Sequence, residues 1–362
     1  MADRSGFPTL FLLLVLLAGG IFLAQRSKQE LLEPYQSYAK GVFVEIVPGT
    51  GRIAIAGQLR DAGVLRHRWP FLLLSFFHHK RTLKAGEYFF DRPMTPREVF
   101  EKVSRGEIFH YTITVPEGYS MYDIAELLGR QGIFRPEAFL AAASNPSLVR
   151  DFASEARSLE GFLFPDTYQL TRRQTPADLQ AAMVKRFRDV YAGLGGEKGK
   201  PPGLSTYQLV TLASLVEKES SDPEERGVIA GVFYNRLHRN RPLECDPTVI
   251  YAARLARPGG QARPGGQAGR FNGTISQADL KRPSPYNTYV HVGLPPGPIA
   301  NPGRSSLEAV LFPRSVDYLY FVANTRGGHF FSRTLAEHNR NVSRYRHLLN
   351  TQAAQRAPGA RP

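Results

Sequence analysis

The sequence predicts an α+β protein: a single N-terminal transmembrane helix, then small α/β modules, then a larger mixed α+β domain. Three observations support this class. Residues 7–25 form an uncharged apolar run, a strand–turn–helix pattern occurs twice between residues 42 and 134, and helical periodicity alternates with short strand-like runs over residues 159–350. With 362 residues, 42% of them hydrophobic, the chain can bury the cores of two or three such units.

The apolar run FPTLFLLLVLLAGGIFLAQ, residues 7–25, is just long enough to cross a hydrocarbon core at about 1.5 Å per residue. A cleaved signal peptide is the alternative, but the run is long for a signal and no A-x-A cleavage site follows it. We therefore expect an uncleaved anchor, preceded by a short segment, 1–6, and followed by a linker, 26–41. The few basic residues on the two sides differ too little for the positive-inside rule to set the orientation.

The formal net charge of +14 suits an anionic partner such as nucleic acid, anionic lipid or a cell-wall polymer. Nucleic acid is poorly supported, because the basic residues are scattered singly and no zinc-finger spacing or aromatic RNA-binding motif occurs. The only cysteine, Cys245, cannot form an intramolecular disulfide, so cysteine usage does not indicate the redox compartment. No base lies near it in sequence, and we predict a semi-buried structural thiol.

The repeated pattern consists of an alternating strand, a Pro/Gly turn and an apolar-periodic helix, once over residues 42–65 and again over 111–134. Gly63 and Gly132 stand where a helix C-cap belongs. The segment between the two copies adds a strand and a helix for which Thr95 is the expected N-cap. These units indicate small modules that either pack against the rest of the chain or bind glycan.

A helix–turn–helix corner is predicted around SLVEKESSDPEER, residues 214–226. Ser205 and Gln208 form a capping box, so the first helix begins near Thr206 and must end before Pro223. Asp222 is the expected N-cap of the second helix, with Glu225 as a further capping residue.

Elsewhere, a helix is expected from about residue 176 to 194 and another at the C-terminus, followed by a disordered tail, 351–362. The tandem repeat of RPGGQA cannot build a core and predicts a flexible insertion at 257–270.

The corner carries the main chemical candidate, a carboxylate with a raised pKa. Glu219 follows apolar helix neighbours, Glu217 has smaller and more polar ones, and Lys218 faces away; Glu219 is therefore expected to be slightly the less solvated of the two acids. A partly desolvated glutamic acid can hold a proton near neutral pH and act as a general acid. The positive end of the next helix opposes this effect, so an ordinary exposed helix end remains an open alternative.

Other candidates are weaker. Tyr286, Asn287 and Thr288 combine aromatic, amide and hydroxyl groups that suit a sugar ring, although a packed turn is an equal alternative. Asp246 before a proline is more typical of an N-cap than of a catalyst, and His329 could serve a site or a strand end. No His/Cys/Asp/Glu spacing indicates a catalytic metal, and we expect neither metal nor cofactor.

Seven stretches spread in order along the chain resemble the endolytic murein transglycosylases (MltG, or YceG-like, proteins) of the bacterial envelope. They are LEGFLFPDTY, LASLVEKES, VFYNRL, DPTVIY, PYNTY, GLPPGPIANPG and YFVANTRGGHFFS. The first strand–helix copy and LKAGEY also resemble that family's LysM-like module. The insertion 257–270 departs from the family pattern.

The resemblance implies an enzyme of the cytoplasmic (inner) membrane, single-pass, with its catalytic domain on the outer face. It implies cleavage of nascent peptidoglycan between N-acetylmuramic acid and N-acetylglucosamine, leaving 1,6-anhydro-muramic ends, close to the peptidoglycan synthases. It makes residues 42–110 a LysM-like module, 111–158 a second strand–helix module and 159–350 the catalytic domain.

The resemblance also assigns the catalytic acid to Glu219, with Glu217 as runner-up, since both acids are usual in the family. Polar residues of the matching motifs are expected to bind substrate: Glu160, Asn235, Asp246, Tyr286, Asn287, Thr288 and His329.

Two other hypotheses remain. One is a membrane-anchored glycan-binding scaffold with an inactive site, against which the intact EKE and PYNTY stretches argue. The other is a pyridoxal-phosphate lyase, a label given to some relatives. That chemistry requires a Schiff-base lysine, and Lys218 is expected to point away from the apolar side.

Overall fold

The computed structural model describes residues 25–26, 29–256 and 275–356. The chain divides into two compact units, residues 1–111 and 112–362. Each is a mixture of helices and two-stranded sheets, which confirms the mixed α+β class.

The first unit is built on an antiparallel pair of strands. Strands β1 (Val42–Ile46) and β2 (Gly86–Phe90) pair with Val44 opposite Tyr88. Within the described residues 42–111, three helices pack with this strand pair: α1 (Arg52–Asp61), α2 (Trp69–Phe77) and α3 (Pro96–Arg105). The alternating strand residues and one face of each helix meet in a single apolar core, in which Phe71, Phe90 and Phe100 are essentially solvent-free.

Local sequence signals in this unit act as predicted. The Thr95 side chain accepts from the Glu98 backbone, and the Glu98 carboxylate accepts from the Thr95 backbone, which is a complete capping box. Gly63 follows α1 with φ 76°, a conformation that a side chain would strain. The glycine stands one position beyond the cap residue itself, Ala62.

The second unit contains ten α-helices among its described residues. They are α4 (Met121–Arg130), α5 (Pro136–Ala143), α6 (Pro176–Gly193), α7 (Gly196–Gly199), α8 (Thr206–Glu219), α9 (Pro223–His238), α10 (Asp246–Leu255), α11 (Gln277–Leu280), α12 (Arg304–Leu311) and α13 (Leu335–Arg356). A 3₁₀ turn spans Pro146–Leu148. Helices α8, α9 and α12 pack on one another around buried leucine, isoleucine and valine side chains, so the centre of the core lies beside the predicted corner.

Two small sheets complete this unit. Strands β3 (Tyr111–Thr114) and β4 (Thr167–Leu170) pair with each other, and β5 (Tyr320–Ala323) pairs antiparallel with β6 (His329–Ser332). The strand–helix pattern at 111–134 is present as β3 and α4, with Gly132 at φ 68° just after the helix. Of the second strand–helix module predicted at 111–158, residues 112–158 lie in the same compact unit as 159–350.

Several expectations fall at or beyond the edge of the described chain. The predicted anchor, 7–25, lies outside it except for its last residue, and the insertion at 257–270 lies outside it entirely. No helix in the described ranges is long and apolar enough to cross a membrane. The C-terminal helix runs on to Arg356, past the point where the sequence predicts a disordered tail.

Candidate active site

The site begins at the corner between α8 and α9. Ser205 caps α8 through the predicted box with Gln208, and the helix ends at Glu219. The Asp222 carboxylate accepts from the Glu224 backbone at 3.0 Å and starts α9, with Pro223 as its first residue. The EKE stretch therefore occupies the last turn of α8, as predicted.

Glu217 is buried, and both of its carboxylate oxygens have bonding partners. Its side chain is only 4% exposed, and its Oε1 lies 3.1 Å from Arg226 Nη2. Its Oε2 accepts from the Gly303 backbone at 2.9 Å and from the Ser306 hydroxyl at 2.7 Å. Both oxygens thus take part in joining α8, α9 and the start of α12.

Glu219 lies in a different environment. It is half-buried, whereas Glu217 is buried, so the expectation that Glu219 is the less exposed of the two acids is wrong. The reason is the segment around Gly303, which covers Glu217 and cannot be read from helix periodicity. Burial nevertheless raises the pKa of Glu219 to about 7, with a smaller contribution from the Asp246 charge.

Cys245 lies against the Glu219 carboxyl and is fully buried. Burial and the neighbouring Glu219 charge raise the pKa of the thiol, so it stays protonated and donates to the carboxylate. The sequence predicted a semi-buried thiol, and Cys245 is instead fully buried; its contact with the candidate acid was not predicted.

Arg236 and its partners form the adjoining wall. The guanidinium donates to the Leu319, Pro242 and Leu243 carbonyls at 2.6, 3.1 and 3.0 Å. It also pairs with Glu244 at 2.8 Å. Its charge lowers the pKa of Glu219, against the larger effect of burial. This fixed cation was not predicted as a site residue.

Asp246 is exposed at the first turn of α10 and accepts from the Tyr289 hydroxyl at 2.6 Å. The cap residue of α10 is Cys245, so the interpretation of Asp246 as an N-cap is wrong by one position. Asp246 and Tyr289 together form a polar edge beside Glu219.

The predicted sugar-binding turn is largely engaged in its own fold. The Asn287 amide donates to the Leu280 and Arg282 carbonyls at 3.0 and 2.9 Å. The Thr288 hydroxyl contacts Thr248 Oγ1 at 2.9 Å and accepts from the Cys245 backbone at 3.0 Å. Thr288 therefore fixes the backbone of the residue that contacts Glu219.

Glu160 forms a second buried carboxylate centre. It accepts from the Met121 backbone at 3.0 Å, the Tyr251 hydroxyl at 3.0 Å and the Asn301 amide at 3.2 Å. Burial raises its pKa to about 8 against the lowering effect of these donors. Tyr286 packs on Tyr251 with ring centroids 5.1 Å apart. None of the hydrogen bonds that Glu160 makes reaches the group around Glu219.

Asn235 and His329 hold the C-terminal hairpin on α9. The Asn235 amide donates to the Val316 and Tyr318 carbonyls at 2.7 and 3.0 Å. The Glu225 carboxylate accepts from the His329 backbone at 2.9 Å and contacts its ring nitrogen at 2.7 Å. Glu225 was expected to cap α9, and this is wrong because its side chain bonds to the hairpin.

Lys218 is exposed between the two acids, as its helix position predicts. Its ammonium donates to the Gly118 carbonyl at 3.2 Å. The lysine therefore faces the surface, which disfavours the Schiff-base chemistry of a pyridoxal-phosphate lyase.

Known proteins match this chain over most of its length. The family model of the YceG-like family matches residues 44–344. A protein of Bacillus subtilis (strain 168) named endolytic murein transglycosylase is 33% identical over 347 residues, covering 91% of each chain. A protein of the same name from Streptococcus pneumoniae serotype 2 is also 33% identical; the alignment covers 93% of this chain but 64% of the relative.

A crystal structure of a YceG-like protein from Listeria monocytogenes matches with a TM-score of 0.52 at 30% identity. The match covers 84% of this chain and 99% of the other. The family match and the curated relatives span the strand pair of the first unit and the corner that carries Glu219. The chain belongs to the YceG-like family.

Proposed function

We propose that this protein is a membrane-anchored endolytic lytic transglycosylase of peptidoglycan. It cleaves the β-1,4 bond between N-acetylmuramic acid and N-acetylglucosamine in nascent strands, leaves 1,6-anhydro-muramic ends and so terminates elongation. The names of the curated relatives support murein as the substrate. The residues around the α8–α9 corner support the chemistry.

The observation that carries the proposal is the contrast between two glutamates two residues apart. Glu217 has both oxygens bound by fixed donors, including the buried Arg226. Glu219 is half-buried beside a neutral thiol, and burial raises its pKa to about 7. Of these two acids, Glu217 is committed to structural contacts and Glu219 is not, so we assign the catalytic role to Glu219.

A single carboxylate is sufficient for this reaction. Hydrolysing glycosidases usually need two, an acid and a base or nucleophile. Here Glu219 donates its proton to the glycosidic oxygen as the bond from muramic C1 to that oxygen breaks. The resulting carboxylate takes the proton from the sugar's own C6 hydroxyl as O6 bonds to C1. Glu219 ends protonated, and no water is consumed.

This sequence of steps needs no bound water as the nucleophile. The nucleophile belongs to the substrate, so its proximity is supplied by the sugar ring. The Arg236 guanidinium is bound by three carbonyls and Glu244 and keeps its charge. The proton that is transferred in the reaction is therefore that of Glu219. Tyr289 and Asp246 offer a hydroxyl and a carboxylate at the edge of the site, where sugar hydroxyls can bind.

The predicted substrate-binding residues divide into two roles under this proposal. Asp246 and Tyr286 contact the glycan strand. The remaining five position the elements around it through the contacts described above: Glu160, Asn235, Asn287, Thr288 and His329. We further propose that residues 42–110 form a LysM-like module and that residues 7–25 anchor the enzyme in the cytoplasmic membrane, near the peptidoglycan synthases.

The direct test is digestion of uncrosslinked glycan strands by the full-length protein, with mass spectrometry of the products. The wild type is expected to release anhydro-muramic ends. Glu219→Gln should release none while keeping a native circular dichroism spectrum. Glu217→Gln is the matched control and should still yield anhydro ends from whatever fraction folds.

The outcomes separate the alternatives. Anhydro product from Glu219→Gln but not from folded Glu217→Gln would move the catalytic assignment to Glu217. Reducing ends in place of anhydro ends would indicate hydrolysis. Glycan binding without any product from the wild type would favour the inactive scaffold.

A further inference from the structure

Helix α2 of the first unit presents an unusual apolar face to solvent. Trp69, Leu73, Phe76 and Phe77 are 38%, 36%, 73% and 69% exposed. Their spacing of four, seven and eight residues puts all four on one side of the helix. The two phenylalanine rings meet edge to face with centroids 5.8 Å apart. Monomeric proteins rarely expose such a contiguous aromatic surface without a partner.

The helix is fixed in this orientation by its other side. Phe71 and Ser75 are buried at 0% and 1% exposure in the core of the unit. The Arg52 guanidinium donates to the Ser75, His79 and Arg81 carbonyls, closing the C-terminal end of the helix. The exposed rings therefore cannot be turned inward by rolling the helix.

The sequence that contains this helix, residues 62–86, is basic. No aspartate or glutamate occurs between Asp61 and Glu87, whereas five lysines and arginines do: Arg66, Arg68, Lys80, Arg81 and Lys84. Aromatic side chains flanked by cations match the boundary between headgroups and acyl chains of an anionic bilayer. A protein partner would need a groove that is apolar where it contacts the aromatic side chains and acidic where it meets the flanking lysines and arginines.

A contact with the N-terminal part of the first unit supports the same partner. The Trp69 indole donates to the Glu30 carboxylate at 3.1 Å. Glu30 follows closely on residues 7–25, the segment proposed as the membrane anchor. The aromatic face thus begins where the chain would leave the bilayer.

We propose that α2 is an interfacial helix. It lays the face formed by Trp69, Leu73, Phe76 and Phe77 into the headgroup boundary of an anionic membrane, with Lys80 and Arg81 on the lipid phosphates. This gives the first unit a second membrane contact, so that it lies on the bilayer surface. The inference depends on the proposed anchoring for proximity only, and not on the chemistry of Glu219.

Trp69 makes the proposal directly testable, because it is the only tryptophan of the chain. The full-length protein is reconstituted into vesicles of phosphatidylcholine with phosphatidylglycerol, with and without brominated acyl chains. Trp69 emission is expected to shift to shorter wavelength and to be quenched by the brominated lipid. Phe76→Ser with Phe77→Ser should abolish the quenching, and Lys80→Glu with Arg81→Glu should weaken it. Leu335→Ser removes a side chain that is 56% exposed in the second unit and should leave the quenching unchanged.

Each result decides the question. Trp69 that stays unquenched in wild-type vesicles overturns the proposal. A blue-shifted Trp69 without quenching, increasing with protein density, would assign the face to a second copy instead. Equal quenching in pure phosphatidylcholine would refute the anionic preference. The phenylalanine variants should release anhydro ends from soluble strands at the wild-type rate, so failure of the proposed activity would be seen separately.

Discussion

Replacing Glu217 by glutamine should destabilise the second unit strongly, because its carboxylate is surrounded by donors. An amide has one acceptor oxygen and an NH₂ group, so the NH₂ must face either Arg226 Nη2 or the pair formed by Gly303 N and the Ser306 hydroxyl. Both arrangements set donor against donor, and both leave the buried guanidinium without its nearest counter-charge, because the amide is neutral.

The size of the effect follows from what Arg226 retains. Removing one partner of a buried ion pair costs about 3–5 kcal/mol. Arg226 keeps the Ser220 carbonyl at 3.1 Å and the half-exposed Glu117 at 3.6 Å, so we expect the lower end, about 3 kcal/mol. For a unit of this size that lowers Tm by roughly 6–12 °C. Thermal unfolding of the detergent-solubilised protein, followed by circular dichroism at neutral pH, measures it.

Glu219→Gln is the matched comparison, and near neutral pH it should stabilise the fold, whereas Glu217→Gln should destabilise it. The pKa of Glu219 is raised in the fold, so the folded state favours the protonated carboxyl. That stability is fully present below the ordinary value of 4.5 and is lost as pH rises through about 7. Glutamine mimics the neutral form, so the variant should gain stability over wild type as pH rises from about 5 to 7. Equal Tm losses in the two variants at neutral pH would refute the assignment of one structural and one catalytic acid.

Further predictions concern the same site and the first unit. Because the acid form of Glu219 is required, kcat/KM should fall about tenfold per pH unit above about pH 7, and a flat profile to higher pH would contradict this. Cys245→Ala removes a donor to the carboxylate and should move that limb to higher pH. Cys245→Ser keeps a donor and should not, and Asp246→Asn, which removes a negative charge, should move the limb to lower pH. Thr95→Ala breaks the capping box of α3 and should lower the stability of the first unit by about 1 kcal/mol in denaturant unfolding, with glycan cleavage unchanged.

Local chemistry could be predicted from sequence because its partners lie within a few residues. The boxes at Thr95 and Ser205 and the cap at Asp222 each need only a side chain and a backbone amide two or three positions away. The same holds for the glycines that follow α1 and α4, since a left-handed residue is required there whatever packs nearby.

Two of the predictions that failed, those for Glu225 and for the relative exposure of Glu217 and Glu219, depend on distant segments. Glu225 looks like a first-turn acid, but His329, more than a hundred residues away, binds it. Glu217 looks more polar in its surroundings than Glu219, but the Gly303 segment covers it. The contact of Cys245 with Glu219 joins the start of α10 to the end of α8. The periodicity of either helix alone cannot predict a contact between the two.

The remaining conflict in the sequence concerned the charge state of Glu219: burial raises its pKa, whereas the positive end of α9 should lower it. The structure favours burial for a geometrical reason. The Asp222 side chain already accepts from the first turn of α9, and the Arg226 guanidinium is directed to Glu217 and the Ser220 carbonyl. Glu219 itself ends α8, where the helix dipole is negative and disfavours a carboxylate. With Asp222 and Glu217 occupying the nearby donors, Glu219 keeps the raised pKa that a general acid needs at neutral pH.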